Sequence, residues 1–159
     1  MQGIAETTET RQWEAWRGFI RVHAALVHEF DRELVETHGL TLHEFEVLLL
    51  LDRAENGRLR MSELADRALL SQSGLTRLVD RLERAGLVER LRCAADRRGL
   101  YASLTEEGRL QFAKSSRTHF DDVGRLFFDR LEPEQIEALA GAWETLLGPD
   151  AGKRCGEPG

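Results

Sequence analysis

Between Ser71 and Arg98 the chain carries seven arginines, at positions 77, 81, 84, 90, 92, 97 and 98, against four acids, Asp80, Glu83, Glu89 and Asp96. That is a local charge of +3 on a chain whose formal net charge is −6, so the remainder carries −9. Guanidinium groups recognise phosphates and guanine edges through paired N–H donors. A basic island on an acidic body draws a polyanion to one face while the rest of the surface repels it. The chemistry on offer is reversible binding of nucleic acid, set against the plainer reading of a solvated charged face.

Covalent chemistry has no such footing. The chain has no G-x-S-x-G elbow, no P-loop and no dinucleotide fingerprint. The pair Glu106-Glu107 fits the first turn of a helix, where carboxylates complement the dipole. No catalytic residue is assigned, and the chain is expected not to be an enzyme. The histidines, His23, His28, His38, His43 and His119, lack a compact ligand spacing, and Cys93 and Cys155 form no CxxC. Neither a metal nor a cofactor is expected, and both cysteines are expected to be reduced thiols.

A chain of 159 residues with 42% hydrophobic residues has enough apolar side chains for one substantial core, not two. With 31% charged residues and no apolar run near 18 residues, no membrane partner is expected. The opening "MQGIAETTET" lacks the apolar segment of a signal peptide, so a cytoplasmic location is expected.

The elements that must hold the arginines follow from hydrophobic period and capping chemistry. Trp13, Trp16, Ile20, His23, Val27, Phe30 and Leu34 recur at three-four spacing, which predicts one stripe of a long helix ending near His38-Gly39. "THGLTLHEFEVLLLLDRAENG" restarts with Thr41 as N-cap and Glu44 three residues on, a capping box, and then runs apolar nearly all round as a buried helix stopped near Asn56-Gly57. Ser62 is expected to cap a short helix with Leu64, Ala65 and Ala68 inward. Ser71 is expected to cap a second, with Leu75, Leu78, Val79 and Leu82 inward and Gly86 as its stop. So tight a turn between them predicts a helix-turn-helix. "LVERLR" and "LYASL" read as two strands of a hairpin, or wing, joined by the turn Asp96 to Gly99. Thr105 caps a further helix running through Leu131, and Pro133 suits the first turn of a last helix whose Ile136, Leu139, Ala140, Trp143, Leu146 and Leu147 line one face.

The expected fold is mainly α with a small β-hairpin. Residues 40–104 form a winged helix-turn-helix module, 8–38 and 105–148 form flanking helices, and 149–159 form a flexible tail. The flanking stripes exceed what so small a domain needs for its own core. They are assigned to a homodimer interface, the alternative being that they fold back on their own module. With the leucine row inward, Ser73, Thr76, Arg77, Asp80 and Arg84 face outward from the second helix, with Gln72 and Arg81 at the edges and Ser71 at its tip. Such side chains suit a major groove in double-stranded DNA. The wing can place Arg98 in the adjacent minor groove, braced by Asp96, with Arg97 on a phosphate.

The run "MSELADRALLSQSGLTRLVDRLERAGLVERLRCAADRRGLYASLTEEGR" resembles the core of the multiple antibiotic resistance regulator (MarR) family. "ELA", "S-x-x-T-R-L-V-D-R-L-E-x-x-G-L-V-x-R", the wing "D-R-R" and "L-T-x-x-G" stand in family-like order and spacing. The resemblance implies a homodimeric winged-helix regulator of a pseudo-palindromic operator, usually a repressor, often relieved by a small anionic or phenolic effector. It implies that Gln72, Ser73, Thr76, Arg77 and Arg81 lie on the recognition helix and Asp96 and Arg98 on the wing. In a urate-responsive subset the ligand residues would correspond to Trp13 or Trp16, Glu46, Arg77 and Arg90, although Glu46 stands where that subset has Asp. Packing in a dimer core is the competing use of the tryptophans. Two further alternatives are a redox-responsive regulator acting through Cys93, whose neighbours Arg92 and Arg97 favour the thiolate, and a winged-helix module that binds only protein.

Overall fold

A computed structural model of the chain describes residues 2–92 and 99–148, with side chains from Glu9 onward. Cys93, Asp96, Arg97 and Arg98, and the expected tail 149–159, lie outside the described residues. In chain order the elements are α1 (Gln2–His38), α2 (Leu42–Asp52), β1 (Arg58–Arg60), α3 (Met61–Arg67), α4 (Gln72–Arg84), β2 (Val88–Arg92), β3 (Leu100–Leu104), α5 (Glu106–Leu126) and α6 (Pro133–Leu147). This is a winged helix-turn-helix flanked by long helices. None of the described helices is long and apolar enough to cross a membrane.

The core forms where the apolar faces of the module converge. Phe45, Leu48 and Leu51 of α2, Leu64 of α3, Leu75, Val79 and Leu82 of α4, and Val88, Ala102 and Leu104 of the sheet are all buried. Each large aliphatic side chain among them contributes about 1.5–3 kcal/mol by leaving water. The strands pair antiparallel in the order β1-β3-β2, with Leu59 opposite Ala102, Val88 opposite Leu104 and Arg92 opposite Leu100.

Three boundaries differ from the sequence expectations. Ser62 caps nothing: the N-cap of α3 is Arg60, without a side-chain bond, because the chain enters the helix directly from β1. β1 itself was not anticipated; α2 ends at Asp52, and a 3-10 turn over Glu55–Gly57 leads into it. Helix α5 stops at Leu126, where Phe127 turns to φ −122, and a 3-10 turn over Phe128–Arg130 follows.

Two helix ends of the module share one motif. At the end of α4, the Leu87 N–H bonds the Leu82 carbonyl at 2.9 Å and the Gly86 N–H bonds that of Glu83 at 3.0 Å, with Gly86 at φ +74. At the end of α3, the Leu70 N–H bonds the Ala65 carbonyl at 3.0 Å and the Leu69 N–H bonds that of Asp66 at 3.3 Å. Here the left-handed position, φ +54, is held by Leu69 instead of glycine.

The flanking helices bury little within one chain. Along α1 the apolar stripe is buried at Leu34 but exposed at Trp13 (57%) and Trp16 (55%). No described residue of α6 is buried, and Leu146 is 74% exposed. Helix α6 touches α1 through Trp143 and Phe19, whose ring centroids are 5.3 Å apart.

Candidate nucleic-acid interface

Helix α4 begins with Ser71 in extended backbone, its Oγ accepting the Gly74 N–H at 3.1 Å. The buried row Leu75, Leu78, Val79 and Leu82 then fixes the helix's rotation, so that Ser71, Gln72, Ser73, Thr76, Arg77 and Arg81 are exposed. The Thr76 hydroxyl donates back to the Gln72 carbonyl at 2.8 Å, and the Ser71 and Ser73 hydroxyls lie 3.3 Å apart. The helix N-terminus, whose dipole favours an anion, faces the same solvent as these side chains.

The arginines around α4 fall into two groups by partner. Arg77 has no hydrogen bond or ion pair to the described residues, so its five donors are available. Arg81 donates its Nε to Glu44 Oε1 at 2.8 Å, and Arg84 donates its Nε to the Asp80 carbonyl at 3.1 Å. Arg90, on β2, is a clamp. It donates to Glu83 Oε2 at 2.5 Å, Asp80 Oδ1 at 2.6 Å and the Thr76 carbonyl at 3.2 Å, with its side chain only 18% exposed. Burial opposes the charge on Arg90, but Asp80 and Glu83 outweigh it and hold the guanidinium above its ordinary value. Strand β2 is thereby fastened to α4. The strand ends Arg92 and Leu100 are paired, so residues 93–99 connect them. Asp96, Arg97 and Arg98 of that connection lie outside the described residues.

The residues of the ligand set implied by the resemblance lie on four elements, Trp13 and Trp16 on α1, Glu46 on α2, Arg77 on α4 and Arg90 on β2. Trp13 and Trp16 precede Asp31, where α1 meets the start of α2, by about 27 and 22 Å of helix. Glu46 is half-buried on α2, its carboxyl pushed up by burial, with His43 acting against the shift. Arg77 faces solvent on α4, and Arg90 is committed to Asp80 and Glu83.

A cleft lies between α2 and α5. It has a volume of about 470 Å³ and is lined by Leu49, Asp52, Arg53, Arg109, Phe112, Ser116 and Phe120, among others. Arg53 Nη1 and Ser116 Oγ of these residues are buried and find no hydrogen-bond partner among the described residues, a costly state for polar groups. Periodicity could not have revealed the cleft, because its walls come from helices more than 50 positions apart.

One turn from Ser116, His119 sits among the rings of Phe45, Phe30 and Phe120, with centroid separations of 4.6, 5.0 and 5.7 Å. Burial pushes its imidazole below the ordinary value of 6.5, with Asp122 opposing the shift. A histidine with a depressed folded pKa contributes stability that is full above 6.5 and is lost as pH falls from there toward the folded value. The expected result is a thermal midpoint that declines as the pH falls below 6.5 in the native chain and declines less in His119→Phe. Equal declines in melting curves of the two proteins would refute this. The depressed carboxyl of Glu44 gives way only below its ordinary value of 4.5.

The model of the MarR family matches residues 38–99. The chain is 38% identical to the HTH-type transcriptional regulator FarR of Neisseria gonorrhoeae over 130 residues, covering 82% of this chain and 80% of FarR. Among solved structures it is similar to AbsC, a MarR family transcriptional regulator from Streptomyces coelicolor, with 39% identity and a TM-score of 0.78 over 83% of this chain and 88% of AbsC. It is also similar to Sco3205 from the same organism, solved in complex with DNA, with 34% identity and a TM-score of 0.81 over 89% and 91% of the two chains.

Proposed function

The chain belongs to the MarR family of transcriptional regulators, and from that premise we propose that it is a cytoplasmic homodimer that represses transcription from a pseudo-palindromic operator. The observation that carries this reading is the exposed row Gln72, Ser73, Thr76 and Arg77, set in front of the capped N-terminus of α4 by a fully buried leucine row. Residues 40–104 form the DNA-binding module, with Asp96, Arg97 and Arg98 at the wing. Residues 8–38 and 105–148 form the dimerisation region, which gives the exposed apolar faces of α1 and α6 a partner. Two copies related by a two-fold axis would meet half-sites about 34 Å apart. A small anionic or phenolic effector suits the α2–α5 cleft, whose lining residues Arg53 and Ser116 have buried polar atoms without a partner among the described residues, in company with Phe112 and Phe120.

The test is a gel shift of the full chain against the DNA upstream of its own gene, over a salt series. A discrete complex of two chains per site is expected, weakening steeply with salt as several phosphate contacts are lost. Addition of benzoate or phenol as probes should release it. Binding no better than to unrelated DNA would favour the protein-interaction module instead.

A further inference from the structure

We propose that Glu44 is a positioning residue for DNA recognition, and that Arg81 serves it as a brace and not as a DNA contact. The proposal rests on the regulator reading above. Both oxygens of the Glu44 carboxylate are committed. Oε2 accepts the Thr41 N–H at 2.9 Å and the Thr41 hydroxyl at 3.0 Å, while Oε1 accepts Arg81 Nε at 2.8 Å. Thr41 in turn accepts the Glu44 N–H, closing the capping box. The adjacent Leu42 N–H donates to Asp31 Oδ1 of α1 at 2.8 Å. A polar chain therefore runs from Asp31 on the flanking helix, through the first turn of α2, to Arg81 on the recognition helix.

The Glu44 side chain is 10% exposed and that of Arg81 49%, so the carboxylate end of this link is shielded from competing water. Burial works to raise the Glu44 carboxyl, but the Thr41 donors and Arg81 outweigh it and hold it below the usual carboxylate range. At neutral pH the link is therefore charge-assisted. α1 belongs to the part of the chain assigned to the dimer. A fixed angle between α1 and α4 consequently sets the separation of the two recognition helices, and with it the operator spacing that the dimer accepts. Arg81 points its Nε at Glu44, which distinguishes it from Arg77 one helical turn earlier.

Glu44→Gln separates the two jobs of this side chain. Glutamine still caps Thr41, as it does in natural capping boxes, but its amide cannot serve Thr41 and Arg81 as the carboxylate does. Native protein, Glu44→Gln, Arg81→Gln and the double variant are compared on the upstream fragment that gives the discrete complex, and on fragments with one base pair added or removed between half-sites, over a salt series. Each single variant is expected to lose about tenfold in affinity for the natural spacing, the scale of one charge-assisted hydrogen bond, and to discriminate less between spacings. The double variant should be no worse than either single one, with an unchanged salt slope. A general loss of stability would lower affinity for all three fragments alike and overturn the proposal. It is also overturned if Arg81→Gln lowers the salt slope by about one phosphate contact whether or not Glu44 is present. Should Glu44→Gln fold poorly, Arg81→Gln alone, exposed and outside the capping box, carries the spacing test. Failure of the native chain to bind any fragment would instead overturn the regulator reading.

Discussion

Arg77→Ala is expected to weaken operator binding by about 10- to 100-fold, the equivalent of roughly 1–3 kcal/mol for a bidentate contact to a base edge. Its melting temperature should match that of the native chain. Arg77 is exposed and without a partner among the described residues, so its removal leaves no carboxylate stranded. In that respect it differs from Arg90, whose loss would abandon Asp80 and Glu83. Arg77→Lys keeps the charge but not the planar fork, and is expected to recover binding to unrelated DNA more than binding to the operator. Fluorescence anisotropy with operator and scrambled duplexes at one salt concentration checks both variants. If Arg77→Ala binds the operator as the native chain does, α4 does not read DNA through this residue.

The largest expected effect on stability belongs to Gly108→Ala. Gly108 is buried at the start of α5, beneath the cap in which its N–H donates to Thr105 Oγ1 at 3.0 Å. A Cβ there would lie 2.0 Å from the backbone oxygen of Leu87 and 3.0 Å from Leu104 Cδ2. The nearer atom is backbone, so no side-chain rotation relieves the clash. The Leu87 oxygen also accepts the Thr105 N–H at 3.1 Å, and Thr105 Oγ1 donates to the Gly86 carbonyl at 2.6 Å. Moving Leu87 would therefore unpick the seam where the end of α4, the sheet and α5 meet. A loss of about 3 kcal/mol or more is expected, at the upper end for overpacked sites. Urea denaturation followed by circular dichroism would measure it, and a loss under about 1 kcal/mol would mean that this junction is far softer than its contacts imply.

The helix-turn-helix was legible in the sequence because its signals are local. Thr41 with Glu44, Ser71 three residues before Gly74, the leucine row of α4 and the stop at Gly86 each depend on neighbours within a few positions, and all stand where expected. β1 was not legible. Its three residues, Arg58, Leu59 and Arg60, bury one side chain and make too short a pattern to register; they are a strand because β3 offers an edge to pair with. The break at Phe127 was masked by apolar residues that keep the helical period beyond it.

The outward face of α4 could be read from the same period, and its exposed residues emerged together. The roles of the arginines could not. Arg81 and Glu44 are 37 positions apart, and Arg90 reaches back to Asp80 and Glu83 across a turn. A sequence displays the charges but not which pairs are joined. The geometry of the implied ligand set was illegible for a related reason: family spacing places Trp13 and Trp16 on α1, but says nothing of how far along it the module sits.

Leu69 carries one further consequence. An L-residue in the left-handed region costs about 1–2 kcal/mol of native-state strain, and at 84% exposure its side chain regains little through burial. Glycine would remove that strain, yet it would also widen the range of conformations open to the unfolded chain, which costs about 0.4–1 kcal/mol on folding. Leucine thus recovers, through the entropy of the denatured ensemble, part of what the turn loses in the native state. The reversal between α3 and α4 is accordingly stiffer than a glycine hinge, and thermal fluctuation is less able to change the angle at which α4 is presented.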